Sequence, residues 1–203
     1  MVNDKIKMFF DQYTRVEYEK NEVVIFANSS IDTAYYIESG VVDMYDISEK
    51  GNRSIINTFK TGAFFPMSNI INNIDSEYFF EARGKVIIRK APAVDVIKLL
   101  KQNNDVLFDL LSRTYSGTDG LISKIVELMQ GDIGSRVMNE LRINAARFGS
   151  EPTDDGDVLK HRITESELSE RTGLARETVS RSIKKLIEDQ KIDKYKGMFR
   201  ILR

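Results

Sequence analysis

The residues with the clearest chemistry lie close together near the carboxyl terminus: Arg176, Glu177, Ser180 and Arg181. An Arg guanidinium can donate two hydrogen bonds to O6 and N7 of guanine, and a Glu carboxylate can accept one from N4 of cytosine. On a helix, Glu177, Ser180 and Arg181 would fall within about a third of a turn of one another, together with Lys184. The pattern predicts a helix that reads the major groove. The alternative is an ordinary solvated helix face with an Arg–Glu pair.

Two short helices joined by a tight turn are predicted to position this cluster. Thr164 and Glu167 have the spacing of a capping box, which starts the first helix, and Gly173 supplies the left-handed residue that ends it. We expect the second helix to run from about Ala175 to Asp189. Its buried side is predicted from a stripe of apolar residues at helical spacing, namely Val179, Ile183, Leu186 and Ile187.

A two-stranded hairpin, the wing, is predicted after the second helix. Its strands are Lys191–Tyr195 and Met198–Leu202, joined at Lys196-Gly197. Side chains in the wing and on the outer side of the second helix suit DNA phosphates, which fix position without reading sequence. We expect these backbone contacts from Thr178, Lys184, Lys185, Lys194 and Lys196, and also from Arg200.

The positive charge of the chain is concentrated in this region. Residues 1–131 contain 15 basic and 18 acidic residues, a net charge of −3, whereas residues 132–203 contain 15 and 13, a net charge of +2. Residues 176–203 alone contain 9 basic and 4 acidic residues, a net charge of +5. A local positive patch in a chain of net charge −1 is typical of a nucleic-acid-binding segment.

The motif from Arg176 to Arg181 (RETVSR), preceded by Leu168, Ser169 and Gly173, resembles the recognition element of the Crp/Fnr family (cyclic-AMP receptor protein / fumarate-nitrate reductase regulator). The resemblance extends over nearly the whole chain. It implies that the first Arg, the Glu and the second Arg of this motif touch bases, and that the Ser does so as in the oxygen-sensing branch of the family. Ala175 departs from the pattern, because a Ser or Thr usually caps this helix; its absence costs up to about 1 kcal/mol.

Composition excludes several classes of site. The chain has no Cys, which excludes disulfides, iron–sulfur clusters and thiolate metal sites, and its single His, His161, cannot form a multi-histidine metal centre. We see no nucleophile motif, Walker loop or dinucleotide fingerprint, so we expect no enzymatic activity. No apolar run is long enough to span a bilayer and the start lacks a secretory pattern, so we expect a soluble, cytoplasmic protein.

Many short strands are predicted in the amino-terminal half, which favours a barrel-like β-roll and an α+β fold class. A short amphipathic helix is expected first, around Asp4–Tyr13. The strands are expected at Val16–Tyr18, Val23–Phe26, Ala34–Glu38, Val41–Ile47, Ser54–Phe59, Ala63–Phe65, Glu77–Ala82 and Lys85–Lys90. The stretch Tyr35–Val42, with Gly51 and Thr61–Phe64 after it, resembles the cyclic-nucleotide-binding roll (double-stranded β-helix) of the same family, although cupins share its rhythm.

Cyclic AMP is not the expected ligand of this roll. In the family, binders have a Gly-Glu-Leu helix start and then an Arg that neutralises the phosphate, whereas here those places read Phe65–Ser68 and Asp75–Tyr78. Glu77 stands about where a cation is needed, and a phosphate next to it would be repelled. The polar pair of the family's central helix is Leu121-Ile122 here. We therefore expect no cyclic AMP, and also no haem, since His161 lies near the DNA-binding segment.

Aromatic and apolar residues are abundant near the usual cavity of such rolls. One interpretation is a pocket for an uncharged or aromatic effector; the alternative is that these side chains fill the core of the roll. The candidate pocket residues are Phe65, Met67, Tyr78, Phe80 and Tyr115.

A long helix is predicted from about Asp105 to Met129, after a helix Ala93–Gln102 that opens at Pro92. Spacings of four and three define a heptad seam that predicts a homodimeric coiled coil. The alternative is a helix buried against its own domain. The seam consists of Leu107, Leu111, Thr114, Thr118, Leu121, Ile125 and Leu128. Gly117 and Gly120 interrupt the pattern and suggest a hinge.

The domain boundaries follow from these elements: a roll at 1–104, a dimerisation helix at 105–131 and a winged helix-turn-helix at 132–203. Asp132 is expected to cap a helix Ile133–Phe148, followed by an acidic loop, Gly149–Asp157, and a strand, Val158–Arg162. The function we expect is a homodimeric transcription regulator that binds a palindrome with G-containing half-sites (related to TGTGA or TTGA) and works with RNA polymerase. The alternative is a small-molecule-sensing protein whose winged helix binds another protein.

Overall fold

The structure, a computed structural model, describes residues 2–203, except for the side chains of Glu127 and Gln130. The chain forms two compact units, one that ends at Thr114 and one that runs from Tyr115 to Arg203. The α+β fold class and the predicted succession of roll, long helix and winged helix-turn-helix are confirmed.

The first unit contains eight strands in two antiparallel sheets, ordered β1-β8-β3-β6 and β2-β7-β4-β5. Every strand predicted from alternation is present, most within one or two residues of the expected bounds. The strands are β1 Thr14–Tyr18, β2 Val23–Ile25, β3 Thr33–Ser39, β4 Val41–Ile47, β5 Arg53–Lys60, β6 Phe64–Phe65, β7 Phe79–Ala82 and β8 Val86–Pro92. The helices are α1 Val2–Asp11, α2 Met67–Asn72, α3 Ala93–Gln102 and α4 Asn104–Gln130, the last of which continues into the second unit.

The core of the roll is a stack of aromatic rings. The rings of Phe65 and Phe80 lie 5.2 Å apart and nearly parallel, and Phe59 stacks on Phe65 at 5.1 Å. Aliphatic side chains from both sheets complete this cluster, among them Ile37, Val42, Val86 and Ile88. The alternation of the strands therefore places one side of each sheet in a shared apolar interior.

Charged side chains cover the outer side of the β2-β7-β4-β5 sheet. Asp43, which is buried, pairs across the sheet with Thr58 and accepts a hydrogen bond from its hydroxyl. The guanidinium of Arg83 donates to both Asp43 oxygens, at 2.7 and 2.5 Å. Arg53 binds Glu81 at 2.7 Å and lies over the Tyr45 ring at 3.7 Å. Such bidentate pairing compensates for the desolvation of a buried carboxylate.

The second unit contains the end of α4, three further helices and a four-stranded antiparallel sheet ordered β11-β12-β10-β9. The predicted helix Ile133–Phe148 is confirmed, with the Asp132 carboxylate accepting from the Ser135 amide at 2.7 Å. The elements are α5 Ile133–Phe148, β9 Ser150–Thr153, β10 Gly156–Leu159, α6 Glu165–Thr172, α7 Arg176–Glu188, β11 Ile192–Tyr195 and β12 Met198–Leu202.

Two expectations about this unit were wrong. Residues 149–157 are not only a loop, because Ser150–Thr153 forms β9, and the strand expected at Val158–Arg162 is Gly156–Leu159. The β9–β10 hairpin packs so closely on β12 that a Cβ on Gly156 would lie 2.1 Å from the Ile201 carbonyl oxygen. This strand pairing is a long-range contact, which the acidic, turn-rich local sequence does not show.

Phe80 is expected to stabilise the roll as a buried core residue. Phe80→Ala should lower the free energy of unfolding by about 3–5 kcal/mol, because it leaves a cavity in the ring stack where Phe80 is 1% exposed. Met8→Ala, at a side chain that is 74% exposed on α1, is the matched control and should change it by less than about 0.5 kcal/mol. Differential scanning calorimetry measures both; equal effects would contradict the core assignment.

Candidate nucleic-acid interface

The turn between α6 and α7 fixes the position of the candidate reader helix, α7. The capping box is confirmed: the Thr164 hydroxyl accepts from the Glu167 amide, and the Glu167 carboxylate accepts from the Thr164 amide at 2.7 Å. Gly173 ends α6 in the left-handed conformation, with φ 67°, as predicted. The Ser169 hydroxyl donates to the Leu174 carbonyl at 2.6 Å, and Arg136 donates to the Thr172 carbonyl. The turn is therefore held by side chains from α5 and α6.

One side of α7 is buried in the core of the second unit. Val179, Ile183 and Leu186 pack with Leu168 of α6 and with Val137 and Leu141 of α5, among others. The prediction that Ile187 belongs to this stripe was wrong, since Ile187 is exposed and Ser182 is buried instead. The buried side of α7 is centred between Ser182 and Ile183, which turns Ile187 toward solvent.

The opposite side of α7 carries the predicted base-reading residues. Arg176, Glu177 and Arg181 are exposed, and Ser180 is half-buried. Within residues 2–203, no ion pair involves the three charged side chains, so the Arg–Glu pair of the alternative interpretation is not formed. Ala175 precedes the helix without a side-chain cap, as expected. The structure thus brings the four residues to one accessible face of one helix.

The expected phosphate-binding residues lie on this face and at the tip of the wing. Lys184 and Lys185 are exposed on α7, and Thr178 is half-buried beside them. Lys194 and Lys196 are exposed on the wing, where Lys196 lies 5.1 Å from the centre of the Tyr195 ring. The turn of the wing uses left-handed conformations at Lys196 and Gly197, with φ of 50° and 80°.

Arg200, which we expected to contact the DNA backbone, is instead a brace of the wing. Its guanidinium donates to the Asp193 carboxylate on the neighbouring strand at 2.8 Å, and to Asp155 in the β9–β10 turn at 2.9 Å. The side chain of Arg200 is only 14% exposed. The hydrogen bonds from Arg200 lower the pKa of the Asp193 carboxyl, against a smaller opposing effect of burial, so that the pair stays ionised.

The candidate effector residues do not form one pocket within a compact unit. Phe65, Met67 and Phe80 are buried in the core, and Tyr78 is half-buried. Tyr115 belongs to the second unit and is 68% exposed. The ring stacking described above makes Phe65 and Phe80 core residues, which favours the alternative that these side chains fill the roll.

The seam predicted on α4 is largely exposed. The leucine and isoleucine side chains from Leu111 onward have between 40% and 59% of their surface exposed, and Leu107 is half-buried. Thr114 and Thr118 are also exposed. An exposed apolar stripe of this length is typical of an interaction site. The exposed seam positions are Leu111, Thr114, Thr118, Leu121, Ile125 and Leu128.

A polar cluster inside the second unit was not predicted from the sequence. Glu140 of α5 is buried, and its Oε1 accepts from Lys124 Nζ of α4 at 2.6 Å. Asn144, one turn further along α5, is also buried. The sequence did carry a signal for this cluster, because the charged Glu140 stands directly before Leu141 on the apolar side of the predicted helix. Among residues 2–203 no group of acidic or His side chains could hold a metal ion, and no helix could cross a membrane.

Two protein-family models match this chain. The model for a cyclic nucleotide-binding domain matches residues 15–103, and the model for a Crp-like helix-turn-helix domain matches residues 135–203. Each match falls within one compact unit, and together they cover most of the chain.

Individual proteins are similar over nearly the full length. The cAMP-activated global transcriptional regulator CRP of Pasteurella multocida is 26% identical over 178 residues, which cover 86% of this chain and 82% of the relative. The fold resembles that of the c-di-GMP-responsive global regulator CLP of Xanthomonas campestris, with a TM-score of 0.79, 17% identity, and coverage of 98% of this chain and 99% of the other. A mutant of CooA from Carboxydothermus hydrogenoformans gives a TM-score of 0.82 at 14% identity, over 96% of this chain and 85% of the other.

The wing brace is expected to make stability depend on acid pH. The pKa of Asp193 is lower in the folded chain than in the unfolded chain. The stabilisation of the fold by ionised Asp193 is therefore fully present above the ordinary Asp pKa of 3.8 and is lost as the pH falls through the lower pKa of the folded state. Asp193→Asn should lower Tm by a few degrees at pH 7, since a partly exposed pair contributes about 1 kcal/mol or less. The difference should shrink below pH 3.8. Asp154→Asn, an exposed turn carboxylate, is the control; a pH-independent difference would contradict the brace.

Proposed function

The chain belongs to the Crp/Fnr family of DNA-binding transcription regulators, and we propose that it acts as a homodimer on a palindromic operator. The observation that carries the proposal is the exposed face of α7, on which two Arg, one Glu and one Ser are presented without ion-pair partners among the described residues. A helix presented in this way fits the width of the major groove.

Base reading is assigned to Arg176, Glu177, Ser180 and Arg181. The two guanidinium groups suit the O6 and N7 of guanine, and the Glu177 carboxylate suits the amine of cytosine. Ser180 suits a base edge or a phosphate. We therefore expect a half-site that contains G·C pairs and is related to TGTGA or TTGA.

Backbone binding is assigned to Thr178, Lys184 and Lys185 on α7 and to Lys194 and Lys196 on the wing. When exposed lysines neutralise phosphates, the DNA releases its condensed counterions. The affinity for DNA should therefore fall steeply as the salt concentration rises. Arg200 is left out of this set because its guanidinium is engaged by Asp193 and Asp155.

Dimerisation is assigned to the seam of α4. A single copy leaves its apolar side chains exposed, and a second copy would bury them as the a and d positions of a coiled coil. Two reader helices related by a two-fold axis would meet half-sites one helical turn apart, about 34 Å.

No cyclic AMP is needed for this activity. Asp75 and Glu77 are exposed where a phosphate-binding cation would have to stand, and Arg83, the first basic residue after Lys60, is engaged by Asp43. We propose that another effector, or none, controls the protein, and that it works with RNA polymerase in the cytoplasm. If an effector binds the roll, Tyr78 is the remaining half-buried candidate within that unit.

Replacing Arg181 is expected to weaken DNA binding and to relax one base position. A preferred duplex is first selected from a random pool without added nucleotide, and affinities are then measured by fluorescence anisotropy. Arg181→Ala should weaken the binding free energy for this duplex by about 1–3 kcal/mol. The variant should also accept any base at the position that Arg181 reads.

Lys184→Ala is the matched control on the same face of α7. It should weaken binding to all duplexes alike and reduce the salt slope by about 1. A uniform loss for Arg181→Ala would make Arg181 a phosphate contact. A wild-type protein that shows no salt-dependent duplex binding would favour the alternative in which the winged helix binds a protein.

Replacing Ile125 is expected to separate the dimer. Ile125→Asp should give a monomer at micromolar concentration in analytical ultracentrifugation, because a carboxylate in the apolar seam would be buried without a partner. Val126→Asp is the control: Val126 is the next residue on α4 and is similarly exposed, at 47% against 55%, but points away from the seam. If both variants stay dimeric, the seam is not the interface.

A further inference from the structure

One buried ion pair connects α4 to the helix-turn-helix. Lys124 Nζ lies 2.6 Å from Glu140 Oε1, and the Glu140 side chain is 4% exposed while that of Lys124 is 23% exposed. The apolar side chains of α4 on either side of Lys124, such as Leu121, Ile125 and Leu128, are turned to solvent. These largely exposed side chains bury little apolar surface between α4 and α5, whereas the ion pair is a direct polar contact between the two helices.

The Glu140 carboxylate of this pair has one oxygen without a hydrogen-bond partner among the described residues, which lowers the cost of separating it from Lys124. Glu140 Oε2 and Asn144 Oδ1 are buried and have no hydrogen-bond partner among the described residues. A cleft of about 60 Å³ lies beside Glu140, and it is also lined by Lys124, Leu128, Arg136 and Thr172, among others. A space of this size admits water, which could hydrate the Glu140 carboxylate once Lys124 leaves. An ion pair with a hydrated alternative is easier to break than one sealed in an apolar core.

The two ends of this connection lie at the proposed dimer seam and at the turn before the reader helix. Lys124 directly precedes Ile125 and is one helical turn from Leu121 and Leu128, so it borders the seam. Glu140 is one turn from Arg136 on α5, and Arg136 donates to the Thr172 carbonyl at the end of α6. Polar contacts thus connect α4 through α5 to the turn that holds α7.

We propose that Lys124 and Glu140 are positioning residues that set the distance between the two reader helices, and so determine the operator half-site spacing that the dimer accepts. The inference rests on the proposed function, because it needs the dimer and its palindrome. Neither residue touches DNA in this arrangement. Closed, the pair fixes the angle at which α4 leaves the helix-turn-helix; open, it leaves that angle free.

The first experiment measures spacing selectivity in the full-length protein. Duplexes carry the selected half-sites with the central spacer lengthened or shortened by one or two base pairs, each of which moves a half-site by about 3.4 Å and turns it by about 34°. We expect the wild type to lose about tenfold in affinity for a one-base-pair change, and Lys124→Met and Glu140→Gln to lose about two- to threefold. Affinity for a single half-site should stay within about twofold of wild type.

The controls separate this role from a structural one. Glu151→Gln removes one negative charge from an exposed site on β9 and should leave the spacing selectivity unchanged. The double variant Lys124→Met/Glu140→Gln should be no less selective than Lys124→Met alone, because both changes remove one contact. Glu140→Gln leaves the unpaired charge on Lys124, whose side chain is 23% exposed and can turn to solvent, so it keeps the test decisive if Lys124→Met, which strands the buried Glu140 carboxylate, does not fold.

A second measurement does not depend on DNA. Because the chain has no Cys, a nitroxide label at Glu188→Cys, an exposed position at the end of α7, reports the distance between the two reader helices by double electron–electron resonance. We expect a narrow distance distribution in the wild type and a broad one in both variants.

The outcomes distinguish the inference from the proposed function. Narrow distributions and full spacing selectivity in folded variants would overturn the role of the pair while leaving the function intact. An equal loss of half-site and palindrome affinity would overturn it too, since the pair would then only support the fold. A wild type that binds no duplex refutes the proposed function, and the positioning role for operator spacing with it.

Discussion

The burial of Val179, Ile183 and Leu186 is the constraint on which the candidate interface depends. A helix turns 100° per residue, so once these side chains are held among α5 and α6 the direction of every other side chain on α7 is fixed. The left-handed Gly173 and the hydrogen bonds on either side of it then fix where the helix begins. The base-reading face is therefore positioned by core packing and by one turn, and its polar residues need no contacts of their own to stay in place.

Arginine serves two purposes in this chain, and burial separates them. Arg83, Arg53 and Arg200 each bind a carboxylate, and each is mostly buried. The planar guanidinium suits this use because it satisfies two oxygens at once and carries its charge at any physiological pH. Arg176 and Arg181 are exposed on α7. The total of basic residues in a segment thus overstates the number of cations that a nucleic acid or a nucleotide would meet.

Two features of α4 are costly in free energy for a single chain. Its apolar seam is exposed, and beside that seam Lys124 pairs with the buried Glu140, one of whose carboxylate oxygens has no partner among the described residues. An exposed stripe costs free energy until it is covered, and an under-satisfied buried charge costs free energy until it is hydrated or paired. Both features lie on α4, the helix that the proposed dimer would use. For this reason we connect the geometry of the dimer with the position of the reader helix.

Short-range rules were enough to predict much of the fold and the candidate interface. The sequence by itself determined the capping box at Thr164, the turn at Gly173, the helix Ile133–Phe148 and the exposed face of α7, because capping and helical periodicity involve residues within four positions of one another. The alternation of the roll strands was equally local. Residue types alone also indicated that Ala175 leaves α7 without a side-chain cap.

Only the tertiary structure decided the rest, because those features depend on which strands and helices come to lie side by side. Strand β9 exists through its pairing with β10 and the pairing of β10 with β12, where Gly156 lies opposite Leu202. Arg200 became a brace because the strand pairing placed Asp193 beside it. Arg83 was engaged because β7, which ends just before it, pairs with β4, which carries Asp43. Glu140 met Lys124 across two helices. In each case one charged side chain could equally have faced solvent, and the three-dimensional neighbour determined that it does not.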